Sequence, residues 1–429
     1  MLAMLTQTLG NTFHSLRNHN FRLFWFGQCV SLIGTFMQRT AQYWLVYKIT
    51  DSPFAVGMLG VCQFLPMLLF SLPVGTLIDR FPKRRILIVT QTIFLAQAVV
   101  LTLLTWAGVT EYWHILALSA VYGVTQTVEM PARQTFIYEL VGKEDIMNAV
   151  SLNSTIVNGA KIFGPALAGI VMQNLGMTMC FGINALSFIA VIAGLLFIRV
   201  PLAAAKQTRP HIVSEVKDGL RYIGHNRLLV ACILVFGIVS TFALNHDVIV
   251  PVFAEEVLGR GANGYTGLLT AAGIGSLAGA LLMASRSRQG VRGRILVIGG
   301  IGTALLQLAT VFTVNYGVSL ALLALIGFCN IVFLNTANAM FQLGTPDEYR
   351  SRVMSIYSLL LVGSTPIGNF FAGAIMENIP GDSGFISCGT VTLLLLIPVL
   401  IAKRSIIAGW FRRESRTINH THPVPPLSR

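Results

Sequence analysis

The sequence predicts an all-α membrane protein with twelve spans arranged as two six-helix bundles. Three observations carry that reading. Of 429 residues, 54% are hydrophobic and only 11% charged, whereas soluble chains keep roughly a quarter of their residues charged; mean hydropathy is +0.70. The apolar residues gather in long runs, and twelve helices of about 20 residues would use about 240 of them. Finally, 26 of the 30 Lys and Arg fall in alternate loops, at the span ends that border them, and in the two tails. This composition excludes a disordered chain and a nucleic-acid binder, and it argues against an ordinary soluble enzyme. The net charge of +13 is accordingly a matter of topology, since the arginines cluster in short loops between apolar runs.

The runs lie at about 21–47, 54–78, 86–107, 113–136, 147–172, 177–199, 228–253, 265–285, 294–314, 318–342, 353–376 and 384–402. Backbone groups cannot stay unpaired in hydrocarbon, so these segments are helices or barrel strands. Sustained Leu, Ile, Val and Phe favour helices, because a barrel would alternate over segments of about ten residues. The seventh run is interrupted by Asn245-His246-Asp247; it is either one weak span or a helix broken over 245–251, which end in Pro251, and discontinuous helices often mark transport sites. Between the sixth and seventh runs, Val213, Val216, Leu220 and Ile223 recur at helical spacing among charges. That pattern predicts an amphipathic helix lying at the membrane surface or bracing the halves. The expected organisation is therefore a bundle over 1–199, a linker over 200–227, a bundle over 228–402 and a tail over 403–429.

A weak internal repeat supports this division. Residues 57–80 can be laid over 267–288, and LVGKEDIMNAVSL (140–152) over LGTPDEYRSRVMSI (343–356). The bias of Lys and Arg places the loaded loops and both termini in the cytoplasm, as for a multi-pass protein of a bacterial-type inner membrane. Lys48 and Arg260 fall on the opposite side, while Arg39 and Lys161 fall within spans. The six cysteines are scattered singly, without metal-ligand or paired-disulfide spacing, and the first apolar run is too long for a signal peptide. Tyr43, Trp44, Tyr47, Trp106, Tyr112 and Trp113 mostly mark the outer interface. No metal or cofactor is expected; the tail's Asn419-His420-Thr421-His422 is too sparse to count as a metal site.

The loop GTLIDRFPKRR (75–85) joins the second and third runs. With its glycine, Asp-Arg pair and following basic residues, it resembles the signature loop of the major facilitator superfamily of transporters. Gly75, Asp79, Arg80, Arg84 and Arg85 fill the signature positions. The resemblance implies a gating latch in which Asp79 faces the start of the eleventh span and pairs with a basic residue at the inner end of the fourth, a place that Arg133 fits. The counterpart loop ASRSRQGVRGR (284–294) lacks the Asp, so the two halves are not expected to gate symmetrically. The blocks at 21–57, 129–154 and 352–373 resemble the branch containing enterobactin exporters and macrolide-efflux-like proteins. One departure stands out: that branch commonly carries Asp after the glycine of the first span, whereas Gly34 is followed here by Thr35.

Ionisable groups inside spans are costly and normally face a cavity or a partner. Arg39 either snorkels to the outer headgroups or faces a cavity together with Gln42 and Gln63; Gln28 and Gln38 extend the polar surface. Glu129 and Arg133 share a helical face at i,i+4. They form either a structural pair or a site where Glu129 takes up protons. Asp247 and His246 are further proton-coupling candidates, and their side chains point about 100° apart. Lys161 calls for an internal partner, for which Glu129 is one choice. Asn245, Asn335 and Asn338 could contact substrate or bond between helices.

The reading that follows is a secondary transporter, not an enzyme. By alternating access it would export amphipathic drug-like compounds against protons; export of a siderophore, or uniport or uptake of a lipid-like or other small solute, are the alternatives. Its expected partners are the small-molecule substrate, protons and membrane lipids, with no nucleic acid and a monomeric state.

Overall fold

The computed structural model describes residues 14–198, 212–286, 290–379 and 381–411. The first half comprises α1 (His19–Thr50), α2 (Pro53–Asp79), α3 (Lys83–Trp106), α4 (Tyr112–Leu175) and α5 (Met177–Phe197). After α6 (Ile212–His225) come α7 (Arg227–Phe242), α8 (His246–Val252) and α9 (Gly261–Ser285). The chain continues through α10 (Gly293–Thr310), α11 (Tyr316–Leu343), α12 (Asp347–Asn378), α13 (Ser383–Ala402) and the short α14 (Arg404–Phe411). The 419–422 stretch lies outside the described residues.

Among the described residues, ten helices are long and apolar enough to cross a membrane. One of the ten, α4, supplies two spans. At about 1.5 Å per residue its 64 residues would otherwise reach roughly 96 Å, about twice a bilayer. The chain turns at Gly142 (φ 73°, ψ −173°), and Ile115 and Ala168 from the two limbs meet in one buried cluster. That backbone conformation is open essentially only to glycine. Gly142→Ala is expected to lower stability by about 1–3 kcal/mol, read as a depressed thermal midpoint; an unchanged midpoint would show that the turn does not need this conformation. α1, 32 residues long, is not among the ten; counting it as a span is consistent with the expected twelve. Asn18 caps it, its Oδ1 accepting from Phe21 N at 3.1 Å.

Of the two readings of the seventh span, the structure shows the broken helix. After α7 ends at Phe242, Asn245 Nδ2 donates to the carbonyls of Thr241 (2.8 Å) and Phe242 (3.2 Å), which would otherwise lack helical partners. The amphipathic linker helix α6 packs onto α12 of the second bundle. Tyr222 stacks on Tyr349 at 4.5 Å, and Asp218 lies 3.6 Å from Arg352.

Buried apolar side chains divide unevenly along the molecule. At the end bearing the basic loops, each bundle keeps its own core. The first is built from Phe21, Phe24, Leu87, Phe136 and Leu195, the second from Phe236, Leu296, Phe333, Tyr357 and Leu396. At the opposite end, Trp44, Val46, Leu59 and Ala168 of the first bundle share a single core with Val250, Phe253, Tyr265 and Met376 of the second. Close backbone approach makes this possible: a Cβ at Gly57 would lie 3.1 Å from Gly373 Cα, and one at Gly273 would lie 3.1 Å from Lys161 O. The halves are thus joined along α2–α12 and α4–α9 at one end.

Candidate functional site

Helical spacing sets the polar wall of a cavity of about 330 Å³. On α1, Gln28, Ser31, Thr35 and Arg39 follow one another on one face, and on α4 so do Tyr122, Gln126, Glu129 and Arg133. Gln63 and Phe64 of α2, Gln91 and Phe94 of α3, and Phe188 of α5 complete the wall. The second bundle contributes Val362. The cavity runs from Arg39 and Gln63 at its deep end to Arg133, Gln134 and Asn153 towards the basic end.

Glu129 is 2% exposed. Its Oε1 lies 3.4 Å from Arg133 Nε, and Arg133 Nη1 donates to Gln28 Oε1 at 3.2 Å. A carboxylate and a guanidinium one helical turn apart neutralise each other inside the wall, and the glutamine orients the guanidinium. Lys161 is therefore not the partner of Glu129. Its side chain is exposed.

Arg39 Nη2 donates to Asp247 Oδ2 across the two bundles. Its guanidinium also lies 5.1 Å from the Phe64 ring centre and 5.9 Å from that of Tyr43, a geometry that favours a cation. Of the two sequence readings, the structure places Arg39 in the cavity and against a partner. His246 immediately precedes Asp247 in the chain, and its buried Nε2 has no hydrogen-bond partner among the described residues. Beyond this pair, Tyr47 Oη donates to Glu256 (2.9 Å), Lys48 Nζ to Glu255 (2.8 Å), and Ser52 Oγ and Phe54 N to Glu377 (2.7 and 3.1 Å). Trp44 stacks on Tyr265 at 5.7 Å. These contacts all join the two halves, and all lie at the end away from the basic loops.

Several predicted residues sit elsewhere. Gln42 donates to Ser119 Oγ at 2.6 Å and is not among the residues lining the cavity. Gln38 bonds Gln97 (3.0 Å) and receives Asn184 Nδ2 (2.8 Å), tying α1, α3 and α5 together. Asn245 serves the helix break. On α11, Asn335 is exposed and Asn338 Oδ1 accepts from Gln342 at 2.6 Å; neither lines this cavity. Of the signature residues, Gly75 and Asp79 fall in the last turns of α2, and the latch contacts expected of them lie outside the described residues. Arg80 and Arg85 are exposed, and Arg84 donates to the carbonyls of Leu195 (2.7 Å) and Leu196 (2.8 Å). That placement suits a cation at the C-terminal end of α5. Sequence reading did not single out Gln91, Gln126, Gln134, Tyr122, Phe94 or Phe188. Three glutamines inside apolar runs were the available signal.

A family model described as Transmembrane secretion effector matches residues 10–428. The MFS-type transporter YfiS of Bacillus subtilis (strain 168), itself uncharacterised, is 25% identical over 394 residues, covering 88% of this chain and 91% of that protein. Macrolide efflux protein A of Streptococcus pyogenes is 21% identical over 387 residues (88% and 94%). The staphyloferrin A transporter of Staphylococcus aureus (strain NCTC 8325 / PS 47) is 22% identical over 340 residues (79% and 84%). Among solved structures, the nucleoside transporter NupG superposes with TM-score 0.68 at 11% identity, covering 92% of this chain and 100% of that one. A POT family transporter in complex with 5-aminolevulinic acid gives 0.71 at 10% identity, covering 91% and 97%. The two structures speak to the fold alone.

Proposed function

Because the chain belongs to the transmembrane secretion effector family of major facilitator transporters, we propose that it exports amphipathic drug-like compounds against a proton gradient by alternating access. The observation that carries this reading is the uneven division of the core. The bundles are closed on each other at one end by the Arg39–Asp247 pair and the bonds beyond it, and a polar and aromatic cavity lies beneath that closure. If the basic loops face the cytoplasm, this is the inward-facing state, ready to take substrate from the cell interior or the inner leaflet.

In the outward-facing state the seam must part, which separates Asp247 from Arg39 and exposes the carboxylate to the outside. A proton taken up there removes the charge that Arg39 holds. When the seam closes again, Arg39 approaches the protonated carboxyl, the proton is released into the inward-open cavity, and the guanidinium then pairs with the carboxylate left behind. One proton thereby moves inward per closure, while substrate moves outward on the opposite swing. Charge also bears on the choice of substrate. Arg39 and Arg133, the basic residues that line the cavity, are each already paired with an acid, so an uncharged or weakly charged amphipath fits better than a carboxylate siderophore.

The test is uptake into inside-out vesicles with an imposed pH gradient, across a panel of macrolides, lipophilic cations and carboxylate siderophores. Accumulation that collapses when the gradient is dissipated is the expected result. Uptake that proceeds equally without the gradient, for every responsive compound, would remove proton antiport.

A further inference from the structure

Two of the most buried polar side chains in the cavity wall have hydrogen-bonding capacity left over. Gln28 on α1 is 3% exposed and Gln91 on α3 is 2% exposed, and both line the cavity. Because Gln28 Oε1 accepts from Arg133, its free end is the amide nitrogen, and that Nε2 has no partner among the described residues. Gln91 presents the opposite capacity, an unpartnered Oε1. Leaving a buried polar atom unpaired costs about 1–3 kcal/mol and is rare in folded proteins. Here a free donor and a free acceptor belong to one wall.

The surface beside them is aromatic. Phe94 stands one turn beyond Gln91 on α3, stacks on Phe188 at 5.5 Å and lies 4.9 Å from Tyr122. The charged groups of the wall are engaged with each other, Arg133 with Glu129 and Arg39 with Asp247. A ligand entering this wall therefore meets carboxamides and rings before it meets an open charge. A hydroxyl or amide group carries both the acceptor that Gln28 Nε2 lacks and the donor that Gln91 Oε1 lacks.

Building on the efflux reading above, we propose that Gln28 and Gln91 form a recognition subsite for a hydroxyl or amide group on an uncharged amphipath, whose apolar ring packs against Phe94, Phe188 and Tyr122. The subsite discriminates by what it would leave unsatisfied. A ligand that both donates and accepts completes the two amides, while a lipophilic cation without such groups occupies the same wall and leaves them unpaired.

The experiment compares two probes on the purified full-length protein, with affinities from titration calorimetry. Erythronolide B is a neutral polyhydroxylated macrolactone; tetraphenylphosphonium carries apolar rings and no hydrogen-bonding group. Gln91→Leu is expected to weaken macrolactone binding about five- to tenfold and to leave tetraphenylphosphonium within about twofold. Its thermal midpoint stays the same or rises, since an unpaired buried acceptor has been removed. Gln91→Met, which keeps the side-chain length, serves as a second variant and should behave alike. Equal weakening of both probes, no weakening of either, or a lowered midpoint in both variants overturns the subsite. Wild-type protein that binds neither probe overturns the efflux reading and the subsite with it, whereas wild type that binds both, with variants unchanged, overturns the subsite alone.

Discussion

Asp247→Asn lowers gradient-driven efflux by at least about tenfold, the consequence expected if a shift of roughly 1.4 kcal/mol in the gating equilibrium accompanies loss of the proton carrier. The substitution removes two things together. It takes away the charge that Arg39 holds across the seam, and it leaves the guanidinium over Phe64 and Tyr43 with a neutral amide acceptor in place of its counter-charge. With 24% and 35% of the two side chains exposed, the pair lies between surface and buried cases, so about 1–3 kcal/mol is the appropriate scale for breaking it. The double variant Arg39→Gln/Asp247→Asn separates the two roles. It removes both charges, so closure should recover while coupling stays lost. Closure can be read by cross-linking cysteines placed at Lys48 and Glu255, whose native side chains meet across the seam at 2.8 Å, in a background lacking the six native cysteines. A double variant that regains gradient-driven efflux would show that Asp247 is only a latch.

Arg39 and Asp247 also show where sequence reading stops. Each is legible alone, since a charge within an apolar run must have a cavity or a partner. That they are partners depends on how two bundles meet over 208 residues of separation, and helical periodicity carries no information on that. The same limit appears at Gln38 and Gln42. Their placement among apolar neighbours marks them as special, but only packing decides that they tie helices within the first bundle and do not face the cavity. Local features fare better. The break at Asn245 is legible because polar residues interrupt an apolar run there, although Pro251 falls inside the helix that resumes at His246, and Glu129–Arg133 is legible because i,i+4 geometry belongs to one helix. The polar stripe of α1 was legible as residues, and it explains why that span is less apolar than its neighbours.

The asymmetry of the cavity has a consequence for mechanism. Nearly all of its wall comes from the first bundle, while Asp247, which Arg39 contacts across the seam, comes from the second. Under the proposed mechanism substrate and gate would be read by different halves and meet at Arg39, which lines the cavity and contacts Asp247. A ligand that draws Arg39 towards the cavity loosens the seam, and a closed seam withdraws Arg39 from the ligand. Differential contact of this kind is what lets binding shift a conformational equilibrium.

Arg133→Leu is expected to be the most destabilising single change in the cavity, costing about 3–5 kcal/mol because it leaves a buried carboxylate without its counter-charge. Glu129 is 3% and Arg133 11% exposed at their side chains, so water offers the orphaned acid little relief. Gln28 Oε1 loses its donor at the same time. Glu129→Gln runs the other way: the amide keeps the shape and still offers Arg133 an acceptor, so its cost should be nearer about 1 kcal/mol than about 4. The double variant Glu129→Gln/Arg133→Leu should recover most of the stability lost in Arg133→Leu, since the uncompensated charge is gone. Thermal midpoints of the purified protein measure all three. Transport then separates the two readings of the pair. If Glu129→Gln folds normally and still accumulates substrate with the pH gradient, the pair is structural and Asp247 alone carries the proton. If it folds, binds ligand and no longer responds to the gradient, Glu129 is a second proton site in the wall that holds the substrate, and binding and protonation compete for Arg133.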